Sequence, residues 1–183
     1  MGKKVKMGMI GGGKGAFIGG VHRMAAALDS KIELVCGVFS SDSAKSLESG
    51  LDLGLDASRI YTSYQEMIET ESRLPLDVRM DFVSIVTPNH VHFAPSKMAL
   101  EFGFHVVCDK PMTFNLEEAY ELQNIVNNTG RIFALTHTYT GYPMVKQARY
   151  MVQQGQIGKI RKVVVEYPQG WLSTLLEASD NKQ

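Results

Sequence analysis

"MIGGGKGAFIGGVHR", residues Met9–Arg23, crowds six glycines between an apolar lead-in and a helix-compatible tail. A backbone this bare suits an anion held by main-chain N–H groups, because side chains there would keep a phosphate away from the N-terminus of a following helix. A flexible linker is the plain alternative, and the flanks argue against it. "KVKMGMI" before the run reads as a short buried strand, and "GGVHRMAAAL" at its end reads as a helix. Strand, glycine turn and helix together open a dinucleotide-binding unit. Within it Gly11 is expected to make the tight turn and Gly13 to let a pyrophosphate approach, with either Gly15 or Ala16 in the third, helix-packing position. The spacing before "GGVHR" departs from the common one, so Ala16, Phe17 and Ile18 are expected to bulge over the cofactor.

A glycine pattern alone arises often by chance, so the rest of the chain must support it. Its 183 residues are 44% hydrophobic, enough for one sizeable core and the beginning of a second. Nineteen basic and nineteen acidic residues cancel, and no run of like charge exceeds a pair. A basic surface for nucleic acid is therefore not expected. Apolar runs such as "DFVSIVT" are far shorter than a bilayer span, and the N-terminus does not read as a signal peptide, so a cytoplasmic protein without membrane partners is expected. Cys36 and Cys108 fall in apolar strand sequences and read as small core residues; no metal site is expected.

Working outward, "KIELVCGVF" gives a second strand and "SSDSAKSLESGLDLG" a turn with a short helix. Ser63 and Glu66 cap the next helix; "DFVSIVTP" is a strand stopped by Pro88. A helix over "HFAPSKMALEF" precedes the strand "HVVCDKP". Asn115 and Glu118 cap "LEEAYELQNIVNNT", whose Leu116, Ala119, Leu122 and Ile125 or Val126 make the buried stripe, and Gly130 closes it. "RIFALTHTY" is the last strand of the series. Apolar strands alternating with helices call for an α/β fold, a Rossmann-like doubly wound parallel sheet covered on both faces.

In such a sheet the ligand lies beyond the carboxyl ends of the strands, and those ends name the candidates. After the second strand, Phe39 stands where an acidic residue would bind ribose hydroxyls, followed by Ser40 and Ser41. These serines could face a 2′-phosphate, with Lys45 near by, or simply cap a helix, so NAD and NADP both remain open. Thr87 and Pro88 would wall the nicotinamide side, grouped with Asn89 and His92 of "TPNHVH", where either histidine could instead cap the helix. In "CDKPM", Asp109, Lys110 and Pro111 stand at the mouth of the crevice, and Lys110 is suited to passing a proton beside a carbonyl or alkoxide. His137 and Tyr139 of "LTHTYTGYP" either orient a substrate or are satisfied polar residues at a strand end.

These residues together resemble the Gfo/Idh/MocA oxidoreductases, the group of glucose-fructose oxidoreductase and inositol dehydrogenase. The likeness rests on the glycine turn ending in "GVH", on "TPNHVH", "ALEFGFHVVCDKPM" and "LTHTYTGYP", and on "GQIGKIRKVVVEY". The resemblance implies NAD or NADP as cofactor and a small-molecule sugar, inositol or polyol as substrate. It assigns proton transfer and cofactor binding to Lys110, with Asp109 where the family has glutamate. It also implies a Rossmann domain over residues 1–141. Residues 142–183 would begin a second, α+β domain, with "KIRKVVVEYPQGW" as its first strand. Most of that domain, which would hold substrate and join copies of the chain, would lie beyond Gln183. A catalytically silent dinucleotide-binding module is the alternative.

Overall fold

The computed structural model describes residues 3–168 and 170–173. The chain divides into two compact units, Met1–His137 and Thr138–Gln183, a boundary four residues before the expected one.

The first unit alternates strand and helix as its apolar runs require: β1 (Val5–Gly11), α1 (Phe17–Ala27), β2 (Ile32–Val38), α2 (Ser43–Asp52), α3 (Tyr64–Arg73), β3 (Phe82–Val86), α4 (Phe93–Glu101), β4 (His105–Cys108), α5 (Leu116–Thr129) and β5 (Phe133–Leu135). The five strands are parallel, in the order β2-β1-β3-β4-β5. A lone parallel bridge from Gly37 to Ile60 adds the vestige of another strand outside β2. Counted with it, the order is that of the doubly wound dinucleotide fold, and it reverses between β1 and β3. The α/β expectation is correct.

Local chemistry sets the helix ends. Ser63 accepts from the Glu66 N–H at 3.1 Å and Asn115 from the Glu118 N–H at 2.9 Å, satisfying donors that the first turns leave open. Gly130 ends α5 at φ +64°, a conformation that glycine adopts without strain. The expected stripe of α5 is corrected at one end: Leu122 is buried but Leu116 is exposed.

One core cluster joins Ile85, Val83 and Val106 of the sheet to Met67, Ile68, Leu100 and Leu122; another groups Met7, Met9, Phe39 and Val86. Both cysteines are buried, and burial pushes the Cys108 thiol up to about 12. Glu71 is also fully buried, yet closed by partners. Arg59 donates to both its carboxylate oxygens at 2.8 and 2.7 Å, the Tyr61 hydroxyl donates at 2.9 Å, and the Met80 N–H donates at 2.9 Å.

Within the second unit, α6 (Pro143–Gln153) starts on a proline at a position where no N–H is needed. The strand expected over Lys159–Trp171 is not found: residues 161–168 have no regular structure, and Gly170–Ser173 form a 3-10 turn. A strand needs a neighbour to bond its backbone, and no strand of the second unit is present among the described residues to supply one. Gln169 and residues 174–183, part of the expected second domain, lie outside the described residues.

Candidate functional site

The end of β1 turns sharply through Gly11 at φ +86° and Gly12 at φ +72°. Both positions also need the missing side chain. A Cβ on Gly11 would stand 2.9 Å from the Val86 carbonyl oxygen, and one on Gly12 would stand 2.8 Å from Gly19 Cα. Gly12 and Gly19 therefore bring the loop and α1 together backbone to backbone. This corrects the expectation that Gly15 or Ala16 packs the helix. Gly13 is bare for a packing reason as well, since its Cβ would meet the Phe39 carbonyl oxygen at 2.6 Å and Ser49 Oγ at 2.9 Å. Phe17 and Ile18 do not bulge. They form the first turn of α1, with Phe17 exposed and Ile18 packed against the second core cluster, because the helix must start early enough to bring Gly19 to Gly12.

The loop borders a cleft of about 920 Å³ at the carboxyl ends of β1, β2 and β3, where the strand order reverses. Of the expected residues, Gly11, Gly13, Ala16, Phe39, Ser40, Ser41, Thr87 and Pro88 line it; Gly15, at φ +82°, does not. Ala16 is the N-cap of α1 but supplies no side-chain bond, and no acidic residue sits in the first turn, so the helix presents free N–H groups and an uncompensated dipole at the cleft. Thr87 adds a buried hydroxyl oxygen that has no hydrogen-bond partner among the described residues.

At the β2 end, the Asp42 carboxylate accepts from the N–H groups of Ala44 and Lys45 at 2.9 and 3.1 Å, and Ser40 Oγ accepts from the Asp42 N–H at 3.1 Å. The carboxylate is thus the cap of α2 and does not line the cleft, whereas Lys45 does.

Residues 5–137 match the family described as an oxidoreductase family with an NAD-binding Rossmann fold, Gfo/Idh/MocA. The chain belongs to the Gfo/Idh/MocA oxidoreductase family. It is 36% identical to the uncharacterized oxidoreductase YfiI of Bacillus subtilis over 94% of this chain and 44% of that protein. Among solved structures, an inositol dehydrogenase homolog from Azotobacter vinelandii, complexed with NAD+, matches at 41% identity and TM-score 0.83 over 88% of this chain and 41% of that one. An oxidoreductase from Sinorhizobium meliloti matches at 49% identity and TM-score 0.80 over 87% and 44%. The chain spans less than half the length of these relatives.

The family's lysine position lies past the end of β4. Lys110 is exposed and makes no hydrogen bond or ion pair among the described residues; the peptide joining it to Pro111 is cis. Asp109 before it is held by one side-chain hydrogen bond and faces a histidine. Thr136 Oγ1 donates to it at 2.8 Å, and His22 Nε2 lies 3.9 Å away while His22 Nδ1 meets Ser84 Oγ at 2.9 Å. Burial draws the His22 pKa below 6.5, against the opposing pull of Asp109. Asp109, Lys110 and Pro111 do not line the cleft, and neither does Asn89. His92 is corrected more firmly: its side chain is fully buried, so it cannot touch a cofactor. The His137 N–H donates to the Leu135 carbonyl at 2.8 Å at the end of the first unit. Tyr139 belongs to the second unit, where its hydroxyl lies 3.0 Å from that of Tyr167 and its ring packs edge-on to Tyr142.

The sequence reading missed several cleft residues. Lys14 bonds Ser49 Oγ through its N–H at 3.1 Å and Glu48 through Nζ at 2.6 Å, tying the glycine loop to α2. Thr62, Ser63 and Tyr64 reach the cleft because the Gly37–Ile60 bridge lays their segment beside β2. Ser63 had been read only as a cap. His90, not His92, faces the cleft. Among the described residues no helix is long and apolar enough to cross a membrane, and no group of three or more His, Cys, Asp or Glu side chains could hold a metal ion.

Proposed function

We propose that this chain is the cofactor half of an NAD- or NADP-dependent oxidoreductase that moves hydride between a nicotinamide and a hydroxyl or carbonyl of a sugar, an inositol or a related polyol. One observation carries the reading. At the reversal of strand order, a single cleft meets an uncapped helix N-terminus, a left-handed Gly11–Gly12 turn and the unpartnered Thr87 hydroxyl. These are the groups a dinucleotide needs. Its pyrophosphate suits the α1 N-terminus at Ala16, its adenosine ribose suits Ser40, Ser41 and Lys45, and its nicotinamide suits Thr87 and Pro88.

Asp42 is turned to its helix cap and does not line the cleft, and Glu48, which does, is paired with Lys14, so Ser40, Ser41 and Lys45 are left to meet a 2′-hydroxyl or a 2′-phosphate and both dinucleotides are accepted. Relatives point both ways. The Azotobacter vinelandii homolog has been solved with NADH and myo-inositol, and a D-xylose 1-dehydrogenase (NADP(+)) of Hypocrea jecorina is 30% identical over 75% of this chain.

When bound, the nicotinamide gives or takes the hydride. Lys110 holds the accompanying proton at Nζ and passes it to or from the substrate oxygen, while Asp109, held by Thr136 and by its N–H bond to the Ile85 carbonyl, steadies the backbone before it. His137 and Tyr139 orient the substrate. The Rossmann domain covers residues 1–141, and residues 142–183 begin a second domain. The remainder of that domain closes over the nicotinamide, excludes water and joins copies of a cytoplasmic enzyme.

The test is Lys110→Ala in the full-length enzyme, assayed with myo-inositol, D-xylose and D-glucose. Turnover should fall by roughly 10²–10⁴-fold, the range of general acid-base catalysis, with the thermal midpoint nearly unchanged. Unchanged turnover would remove Lys110 from the chemistry. Absence of turnover by the unsubstituted enzyme on every cyclitol and aldose tried would leave a binding module.

A further inference from the structure

One imidazole ties together two loops that flank the proposed chemistry, and it belongs to a residue that never reaches the cleft. His92 stands at the start of α4 with its side chain fully buried. Its Nε2 lies 2.9 Å from the Thr87 carbonyl oxygen and its Nδ1 lies 2.6 Å from the Pro111 carbonyl oxygen. Thr87 follows β3 and walls the cleft; Pro111 follows Lys110 directly. Both partners are backbone carbonyls, which only accept, so the neutral ring donates to one of them and only the doubly protonated ring donates to both.

The backbone of His92 is anchored as well. The His92 carbonyl accepts from Ser96 Oγ at 2.6 Å and from the Ser96 N–H at 3.3 Å, and its own N–H donates to the Asn89 carbonyl at 3.3 Å. The bridge also spans a gap in the sheet. The ladder between β3 and β4 ends with the Asp109 N–H donating to the Ile85 carbonyl at 3.0 Å. Among the described residues no backbone hydrogen bond then joins residues 87–88 to residues 110–111. Past that point the ring of His92 does the joining.

A buried histidine can be there for stability alone. Burying a polar ring is costly unless its nitrogens are paired, and an apolar side chain of similar size would fill the same space at less cost. What the imidazole adds is a fixed position for two carbonyls distant in sequence, one on the cleft wall and one beside the lysine. Among the described residues the Lys110 side chain makes no hydrogen bond or ion pair, so where it starts from depends on its backbone.

We propose that His92 is a positioning residue for the reaction: by standing between the Pro111 and Thr87 carbonyls it sets the backbone from which Lys110 reaches toward the cleft wall. This inference rests on the reading of Lys110 as the proton carrier. A misplacement on the order of 1 Å at a reacting group can lower a rate by about 10²-fold, which sets the scale of the expected effect.

The experiment uses His92→Leu, which removes every ring donor, and His92→Gln, whose amide N–H can still donate to one carbonyl. In the first arm the chain is pulsed with acetic anhydride and the acetylation of each lysine is followed by mass spectrometry. The Lys110 rate should change several-fold in His92→Leu and less in His92→Gln, with exposed Lys31 as the unchanged reference. In the second arm, the full-length enzyme carrying His92→Leu should lose about 10²-fold in turnover with dinucleotide affinity held within about threefold. The double variant with Lys110→Ala should be no slower than Lys110→Ala alone, because both changes act through one group. His92→Gln should recover part of the loss. The inference is overturned if Lys110 acetylation is the same in all three proteins, if the two losses multiply, or if neither variant folds, which would make His92 a residue of stability only. If Lys110→Ala itself leaves turnover unchanged, the function proposed above fails, and the acetylation arm still decides whether His92 sets the position of the lysine.

Discussion

Glu71 and the Thr87 hydroxyl are both polar groups withdrawn from water inside the first unit, and the fold treats them in opposite ways. Glu71, on α3, is enclosed by Arg59, Tyr61 and the Met80 N–H, so that both carboxylate oxygens are satisfied. Thr87 Oγ1, at the cleft, is given nothing. The first arrangement serves the fold, since an unpaired buried carboxylate would be intolerable. The second is a debt that a ligand can settle. An orphaned atom does not suffice by itself. Lys6 Nζ also lacks a hydrogen bond, but it sits at the other end of β1, 3.9 Å from an Asp81 oxygen and away from the cleft. Thr87 differs because its hydroxyl coincides with a cavity and an uncapped helix.

The comparison can be broken at either pole. Glu71→Ala should have the largest effect, a loss of about 3–5 kcal/mol on urea denaturation, because it leaves the half-buried Arg59, the Tyr61 hydroxyl and the Met80 N–H without their partner. A loss below about 1 kcal/mol would place the network among ordinary surface pairs.

Thr87→Val should behave in the opposite way. It removes an unsatisfied hydroxyl at nearly constant shape, so stability should stay level or rise by about 1 kcal/mol, while dinucleotide affinity falls by up to about tenfold, the worth of one hydrogen bond. Loss of stability with unchanged affinity would show that the hydroxyl has a partner within the protein.

The smallest effect concerns His22, which faces Ser84 and Asp109. Burial lowers its pKa in the folded chain relative to 6.5, so the unfolded chain binds the proton first as pH falls. The stabilisation from neutral His22 is whole above the unfolded value and is lost as pH drops through the lower, folded one. Between about pH 7.5 and about pH 5 the thermal midpoint of the native chain should therefore fall further than that of His22→Gln, by about 2–4 °C for each kcal/mol involved. Equal falls would mean that His22 titrates as it does in the unfolded chain.

What could be read in advance was the local part. Ser63, Asn115 and Gly130 act within a few residues of their own positions, and the alternation of apolar runs was enough for the parallel sheet. The glycine run was legible as a turn but not in its division of labour: Gly12 needs Gly19, and Gly13 needs Phe39 and Ser49, contacts made only once α1 and α2 are in place. His92 was expected to face the cleft because it shares a motif with His90, yet one turn of backbone directs it inward. Glu71 carried a usable signal, since it shares the buried side of α3 with Met67 and Ile68, and a charge there requires a partner. The exposed Leu116, the short β5 and residues 161–168 were misread because apolar composition does not say whether a neighbouring element is there to cover or pair it.

The account rests on a dinucleotide held at the α1 N-terminus. The direct test is calorimetric titration of the chain with NAD and NADP, repeated on Ala16→Asp. Aspartate at this N-cap should stabilise the helix by about 1 kcal/mol while placing a competing carboxylate where the pyrophosphate belongs. The prediction is that the native chain binds both dinucleotides with affinities within about tenfold of each other, and that Ala16→Asp is as stable or more so yet binds each at least about tenfold more weakly. Binding of neither dinucleotide by the native chain, or undiminished binding by the variant, would contradict it.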